Sequence, residues 1–155
     1  MKKVFVIGSG SREHAIIDTI KIISNLPINY KSSGVDIDEG NELVDYIKSL
    51  SLDTKKYIGG FCSSYMYNGI ELAFATDGIG TKLEIAIMLN KYDTIGIDFV
   101  AMSVNDLYSG GAIPICFLDY IAVDKLDNYK CKNIIKGIHD GCEIAKCKLV
   151  GGETA

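Results

Sequence analysis

The stretch that most constrains this 155-residue chain is Ala75–Leu107, ATDGIGTKLEIAIMLNKYDTIGIDFVAMSVNDL, in which a glycine turn, acids, an asparagine and lysines interrupt what otherwise reads as core. The apolar run Leu72–Ala75 gives way to Thr76, Asp77 and Gly78, after which Gly80, Thr81 and Lys82 open a helix-like segment. The order is strand, tight turn, helix start. Glycines let backbone approach a ligand, a helix start offers unpaired N–H groups to a phosphate, and a carboxylate at a strand end can hold magnesium on that phosphate. The same spacing also describes an ordinary turn with a helix cap, and both readings stay open at this point.

The second half of the stretch carries Ile97, Val100, Ala101, Val104, Leu107 and Tyr108 at helical intervals, predicting an amphipathic helix stopped by Gly110 and Gly111. Asp98 and Asn105 lie seven residues apart and so fall on one stripe, with Met102 between them and Asp106 one step round. Oxygen ligands without histidine or cysteine suit a hard cation such as magnesium. A solvated helix face carries the same residue types, so the pattern alone is a weak motif.

Composition narrows the classes. A chain of this length is one domain by expectation and can remove roughly 70% of its unfolded surface from water. The net charge of −4 argues against a duplex nucleic-acid partner. No apolar run reaches the roughly 18 residues needed to span a bilayer. The opening MKKVFVIGSG reaches Arg12, Glu13 and His14 too soon for a signal peptide, and the chain reads as cytoplasmic. Five cysteines, Cys62, Cys116, Cys131, Cys142 and Cys147, form no CxxC pair, which fits neither a zinc site nor a disulfide framework. Cys131 and Cys142 fall on an apolar helix face and read as small core residues.

Taken in order, Lys3–His14 is a short strand and glycine turn that lacks the third glycine of a dinucleotide fingerprint. Residues 30–38 form a polar arm containing Lys31, and Glu39–Leu50 is a helix with Leu43, Val44, Ile47 and Leu50 on one face. Lys48 near its end interacts favourably with the helix dipole. Lys55–Asn68 is a loop entering a strand. Ile113–Val123 is a nearly continuous apolar run, expected to be buried on both faces or at a dimer interface, and Asp119 interrupts it. A helix over Asn128–Lys146 presents Cys131, Ile134, Ile135, Ile138, Cys142 and Ala145 as one buried stripe, with His139 beside it in a structural role. The chain then ends in a short strand and a glycine turn bearing Glu153 and Thr154.

The segments YKSSGVDIDEGNELVDYIK, TDGIGTK, KYDTIGIDFVAMSVNDL, FLDYIAVDKLD and KLVGGETA together resemble the N-terminal half of the aminoimidazole ribonucleotide synthetase (phosphoribosylformylglycinamidine cyclo-ligase) family, over residues 29–155. That resemblance implies an α+β fold, with a mixed open sheet, helices packed on one face, and the sheet completed by homodimerisation. It implies an ATP- and Mg2+-dependent ligase of purine biosynthesis that closes the imidazole ring of formylglycinamidine ribonucleotide with release of ADP and phosphate. Residue by residue, it implies metal ligation by Asp77, Asp98, Asp106 and Asp119, and phosphate contacts from Gly78, Gly80, Thr81 and Lys82. Lys48 would lie close to the nucleotide, and Asn105 and Glu153 would act with Asp77 at the reacting groups. Cys62, Ser63 and Ser64 depart from the family's glycine-rich loop. Residues 1–16 resemble the start of glycinamide ribonucleotide synthetase, so 1–28 is expected to be a vestigial βα segment. Because the family continues into a second domain, a truncated ligase with weak or no turnover is expected. The alternatives are a non-catalytic nucleotide-binding or dimerisation module and a kinase-like member of the same superfamily.

Overall fold

The computed structural model describes residues 29–31, 34–50 and 52–155, so the expected segment 1–28 lies outside the described residues. The chain divides into two units, residues 1–60 and 61–155.

In the first unit, helix α1 (Ile37–Leu50) starts two residues before the expected Glu39. The Asp36 carboxylate explains the earlier start, accepting the N–H groups of Asp38 and Glu39 at 3.1 and 3.3 Å. Asp38 and Glu39 in the first turn and Lys48 in the last complement the helix dipole. Lys31 in the arm is paired with Asp36 at 2.6 Å. Helix α1 buries none of its residues, and Leu43, Ile47 and Leu50 stand exposed. A single 3-10 turn, Lys55–Tyr57, follows.

The second unit opens with an antiparallel hairpin of β1 (Ser63–Tyr67) and β2 (Ile70–Phe74), Ser63 facing Phe74 and Tyr67 facing Ile70. Asn68 and Gly69 make the two-residue turn with φ of 50° and 80°, the paired positive values of a twisted hairpin turn. After β2 come helices α2 (Lys82–Met88) and α3 (Ile95–Ser109), strand β3 (Cys116–Ile121), helix α4 (Asn128–Ala145) and strand β4 (Lys148–Thr154). Asp127 caps α4, accepting from Tyr129 and Lys130 N–H at 3.0 and 3.2 Å. At the other end Lys146 turns left-handed (φ 57°), and Cys147 N–H returns to the Cys142 carbonyl at 3.0 Å.

Strands β3 and β4 run parallel and α4 connects them, the usual solution for parallel neighbours. The class is α+β, and the two strand senses of a mixed sheet are distributed over two two-stranded ladders among the described residues.

Glycine decides how α3 meets α4. A Cβ on Gly96 would strike the Ile134 carbonyl and the Ile138 nitrogen, and one on Gly137 would lie 3.1 Å from the Asp93 carbonyl and from Gly96. The two helices therefore touch backbone to backbone. That approach seals a core of Val100, Val104, Phe117, Ile138, Cys142 and Cys147, with Ile138 wholly inaccessible. Each aliphatic side chain so buried contributes about 1.5–3 kcal/mol. Phe99 and Phe117 add an edge-to-face contact at 5.4 Å. Burial, reinforced by the neighbouring Cys147 thiol, pushes the Cys142 thiol up to about 12, in keeping with a core cysteine.

Two expectations require correction. Of the two alternatives for β3, burial on both faces does not hold among the described residues: Phe117 points into the core while Cys116, Leu118 and Tyr120 are exposed. Among the described residues the core lies against one of its faces. The glycines near the end do not form a turn either. They continue β4, where a register irregularity between Phe117 and Leu118 brings Gly151 opposite Leu118 and Gly152 opposite Asp119. The Asp119 side chain occupies the space a Cβ at Gly152 would need, so glycine is required there.

Candidate functional site in the α2–α3 cleft

The turn that the sequence singles out is positioned from both sides. Strand β2 ends at Phe74, and Gly80, at φ 67°, leads the following segment into Thr81 and α2. Helix α2 is held against the start of α3 by a small core of Ala86, Tyr92 and Ile95, joined by Ile79, Leu83 and Ile134. That packing leaves a cleft of about 200 Å³ between the two helices, lined by Lys82, Ile85, Ala86, Leu89, Lys91, Thr94, Ile95 and Asp98.

Two of the predicted residues meet in this cleft. Lys82 Nζ lies 3.6 Å from Asp98 Oδ1 and 3.3 Å from Met102 Sδ, so its ammonium faces the Asp98–Met102 stripe of α3. The contact joins α2 to the Asp98 stripe of α3 across 16 residues of sequence. Thr81 is buried but makes no side-chain cap bond, and α2 has only seven residues, so the cap reading of this turn finds no hydrogen bond to support it. Asp77 is exposed and its carboxylate accepts the Gly78 N–H at 2.7 Å. Gly78 is exposed beside it.

The remaining predicted residues sit elsewhere. Asn105 is exposed and Asp106 half-buried further along α3. Asp119 is half-buried on β3 against Gly152, and Glu153 is exposed on β4 opposite Tyr120. Neither Asp119 nor Glu153 lines the cleft. Lys48 belongs to the other unit, with Asp45 at 3.9 Å. His139 is exposed and pairs with the adjacent Asp140 at 3.4 Å, consistent with a structural part. Asp140 is held below the usual carboxylate range by its hydrogen bond from Lys136, and then by His139. The sequence motifs contain Lys91 and Thr94 but assign neither a role. The signal was their position immediately before the apolar-periodic helix, where a loop cation and hydroxyl face whatever precedes it.

Among the described residues no three His, Cys, Asp or Glu side chains converge to cage a metal ion. Magnesium does not require a cage, since it keeps several waters and takes one or two carboxylates together with substrate phosphates. Separate carboxylates such as Asp77 and Asp98 fit that mode, and their all-oxygen donor chemistry fits the ion.

Comparison with known proteins gives this cleft a context. The chain is 51% identical over 136 residues to a phosphoribosylformylglycinamidine cyclo-ligase of Caldanaerobacter subterraneus subsp. tengcongensis, a match covering 83% of this chain and 40% of the relative. It is 52% identical over 135 residues to the protein of that name from Caldicellulosiruptor bescii, covering 81% of this chain and 40% of the relative. The chain thus spans about two fifths of the length of these curated relatives. Among solved structures, AaThiL complexed with AMPPCP and TMP shares the fold with a TM-score of 0.60 at 24% identity, over 73% of this chain and 36% of that one. The family model of the AIR synthase related protein N-terminal domain matches residues 62–155, most of the chain and the whole cleft. The chain belongs to the AIR synthase related family, as a bearer of its N-terminal domain.

Proposed function

We propose that this chain supplies the nucleotide-binding half of an ATP-dependent phosphoribosylformylglycinamidine cyclo-ligase, the ligase of purine biosynthesis that makes aminoimidazole ribonucleotide from formylglycinamidine ribonucleotide. The single observation that carries the reading is the meeting of Lys82 with Asp98 in a cleft beside the Asp77–Thr81 turn. A cation and a carboxylate there, next in sequence to an exposed glycine turn, are the chemistry that a polyphosphate and its counter-ion call for. Relatives at about half identity bear the ligase's name, and the structural neighbour complexed with AMPPCP supports a nucleotide ligand.

In this reading ATP phosphorylates the formyl-derived amide oxygen of the substrate. The ring-forming nitrogen then attacks the activated carbon, and phosphate leaves with the oxygen. No nucleophilic side chain is needed, and the protein's task is alignment and neutralisation of phosphate charge. The Gly78–Thr81 backbone and Lys82 hold phosphate oxygens. Asp98 keeps Lys82 in place in the free protein; Asp77 and Asp98 would hold magnesium, with Asp106 and Asp119 as further carboxylates outside the cleft lining. When bound, that ion offsets phosphate charge. Asn105 and Glu153 orient the substrate.

A homodimer formed over the exposed Leu118 and Tyr120 face of β3, in a cytoplasmic setting, completes the proposal. No described helix is long and apolar enough to cross a membrane, and the net charge of −4 does not favour nucleic acid. The direct test is phosphate release from ATP by the purified chain with Mg2+, with and without formylglycinamidine ribonucleotide. Substrate-dependent release abolished by Asp77→Asn would establish that these residues contain a complete site. Release that ignores both the substrate and the substitution would overturn the proposal.

A further inference from the structure

The cleft's charges are unevenly committed. Lys82 already has Asp98 at 3.6 Å and the Met102 sulfur at 3.3 Å, so its ammonium has protein partners before any ligand arrives. Lys91 lines the same cleft and has no ion-pair partner among the described residues. Two lysines against one carboxylate leave the cleft one net positive charge, and Lys91 carries it. Thr94 stands beside it at the start of α3, and its hydroxyl makes no cap bond to that helix. The rest of the lining, Ile85, Ala86, Leu89 and Ile95, is apolar and supplies no competing acceptor.

We propose that Lys91, assisted by the Thr94 hydroxyl, is a phosphate-binding residue of this cleft and supplies the uncompensated charge that draws a nucleotide polyphosphate into it. The inference rests on the nucleotide-binding reading above and adds to it a residue to which the sequence motifs assign no role. Physically, an ammonium without a protein partner gives its full charge to an incoming anion, whereas a paired one must first be released. Lys82 then reads as the cation that Asp98 pre-positions, and Lys91 as the one that recognises.

The test is calorimetric titration of the full chain with MgATP, and separately with inorganic tripolyphosphate, for the wild type, Lys91→Ala, Lys91→Glu and Lys91→Arg. Circular dichroism melting verifies that each variant is folded. Losing one charge-assisted phosphate contact weakens binding about tenfold or more. The expected order is wild type and Lys91→Arg close together, Lys91→Ala weaker by that factor, and Lys91→Glu weaker still. Tripolyphosphate should follow the same order, because the contact is to phosphate and not to the nucleoside. A folded Lys91→Glu that binds MgATP as tightly as the wild type would overturn the assignment of Lys91 and leave the nucleotide reading standing. A wild-type chain that binds neither ligand would take down both.

Discussion

Helices α1 and α4 have similar sequence patterns and different fates. Each carries an apolar stripe at helical spacing, and each is capped by an aspartate just before its first turn, Asp36 for α1 and Asp127 for α4. Yet α4 buries Gly137, Ile138, Gly141 and Cys142, while α1 buries nothing. Periodicity and capping are local and suffice to make a helix, whereas burial requires a partner whose surface lets the backbones approach. Gly96 and Gly137 provide that approach for α4, and within the described residues α1 has no counterpart.

This contrast is best broken at the glycine crossing. Gly96→Ala sets a methyl against the Ile134 carbonyl and Ile138 nitrogen, backbone atoms that cannot rotate away. Overpacking of this kind costs about 3 kcal/mol, and Gly96→Val costs more than the domain can sustain. Urea denaturation should show the first as a large drop in midpoint and the second as failure to fold. A midpoint unchanged by Gly96→Ala would mean that the helices do not touch there. Truncating the central side chain with Ile138→Ala should cost a similar or slightly smaller amount, about 2–3 kcal/mol, by opening a cavity in a site with no access to solvent. On the other side of the comparison, Leu43→Ala should change stability by no more than about 0.5 kcal/mol, since its side chain is already exposed. A loss as large as that of Ile138→Ala would show that α1 is covered in solution.

The smallest effect concerns pH. Asp36 is held below its ordinary value of 3.8, chiefly by the hydrogen bond from Lys31 and then by the N–H of Glu39. A carboxylate whose folded value is depressed adds stability that is present above 3.8 and is lost as pH falls through the lower folded value. The exposure of the pair keeps the effect small. The helical signal of α1 should therefore weaken below pH 4, and Asp36→Asn should show less of that dependence. An identical acid profile in the two proteins would remove Asp36 as the cap.

How much of this was legible beforehand follows the same division between local and distant causes. The end of α3 could be read from Gly110, and α4 was placed within one residue from its apolar stripe. The Asp98 stripe was visible, but its partner could not be read from spacing, because Lys82 comes from the preceding helix. The hairpin was missed although Asn68-Gly69 signals it locally. The one-sided burial of β3 and the path of β4 through Gly151 and Gly152 were illegible for a different reason. Both depend on which face α4 covers and on where Asp119 points, facts fixed by packing between segments some thirty residues apart. Lys91 opens the KYDTIGID segment just before α3, but that position does not show whether its charge is answered by a partner. Its meaning comes from the commitment of Lys82 to Asp98.

The central claim is that the α2–α3 cleft receives a nucleotide, and the most direct measurement is an amide chemical-shift map of the full chain titrated with MgATP. The account requires shifts concentrated at residues 77–82, Lys91, Thr94 and Asp98, greatly reduced in Lys82→Ala, while the α4 amides at Gly137–Cys142 stay in place. Shifts centred on the β1–β2 hairpin or on β4, with the cleft amides unmoved, would contradict it.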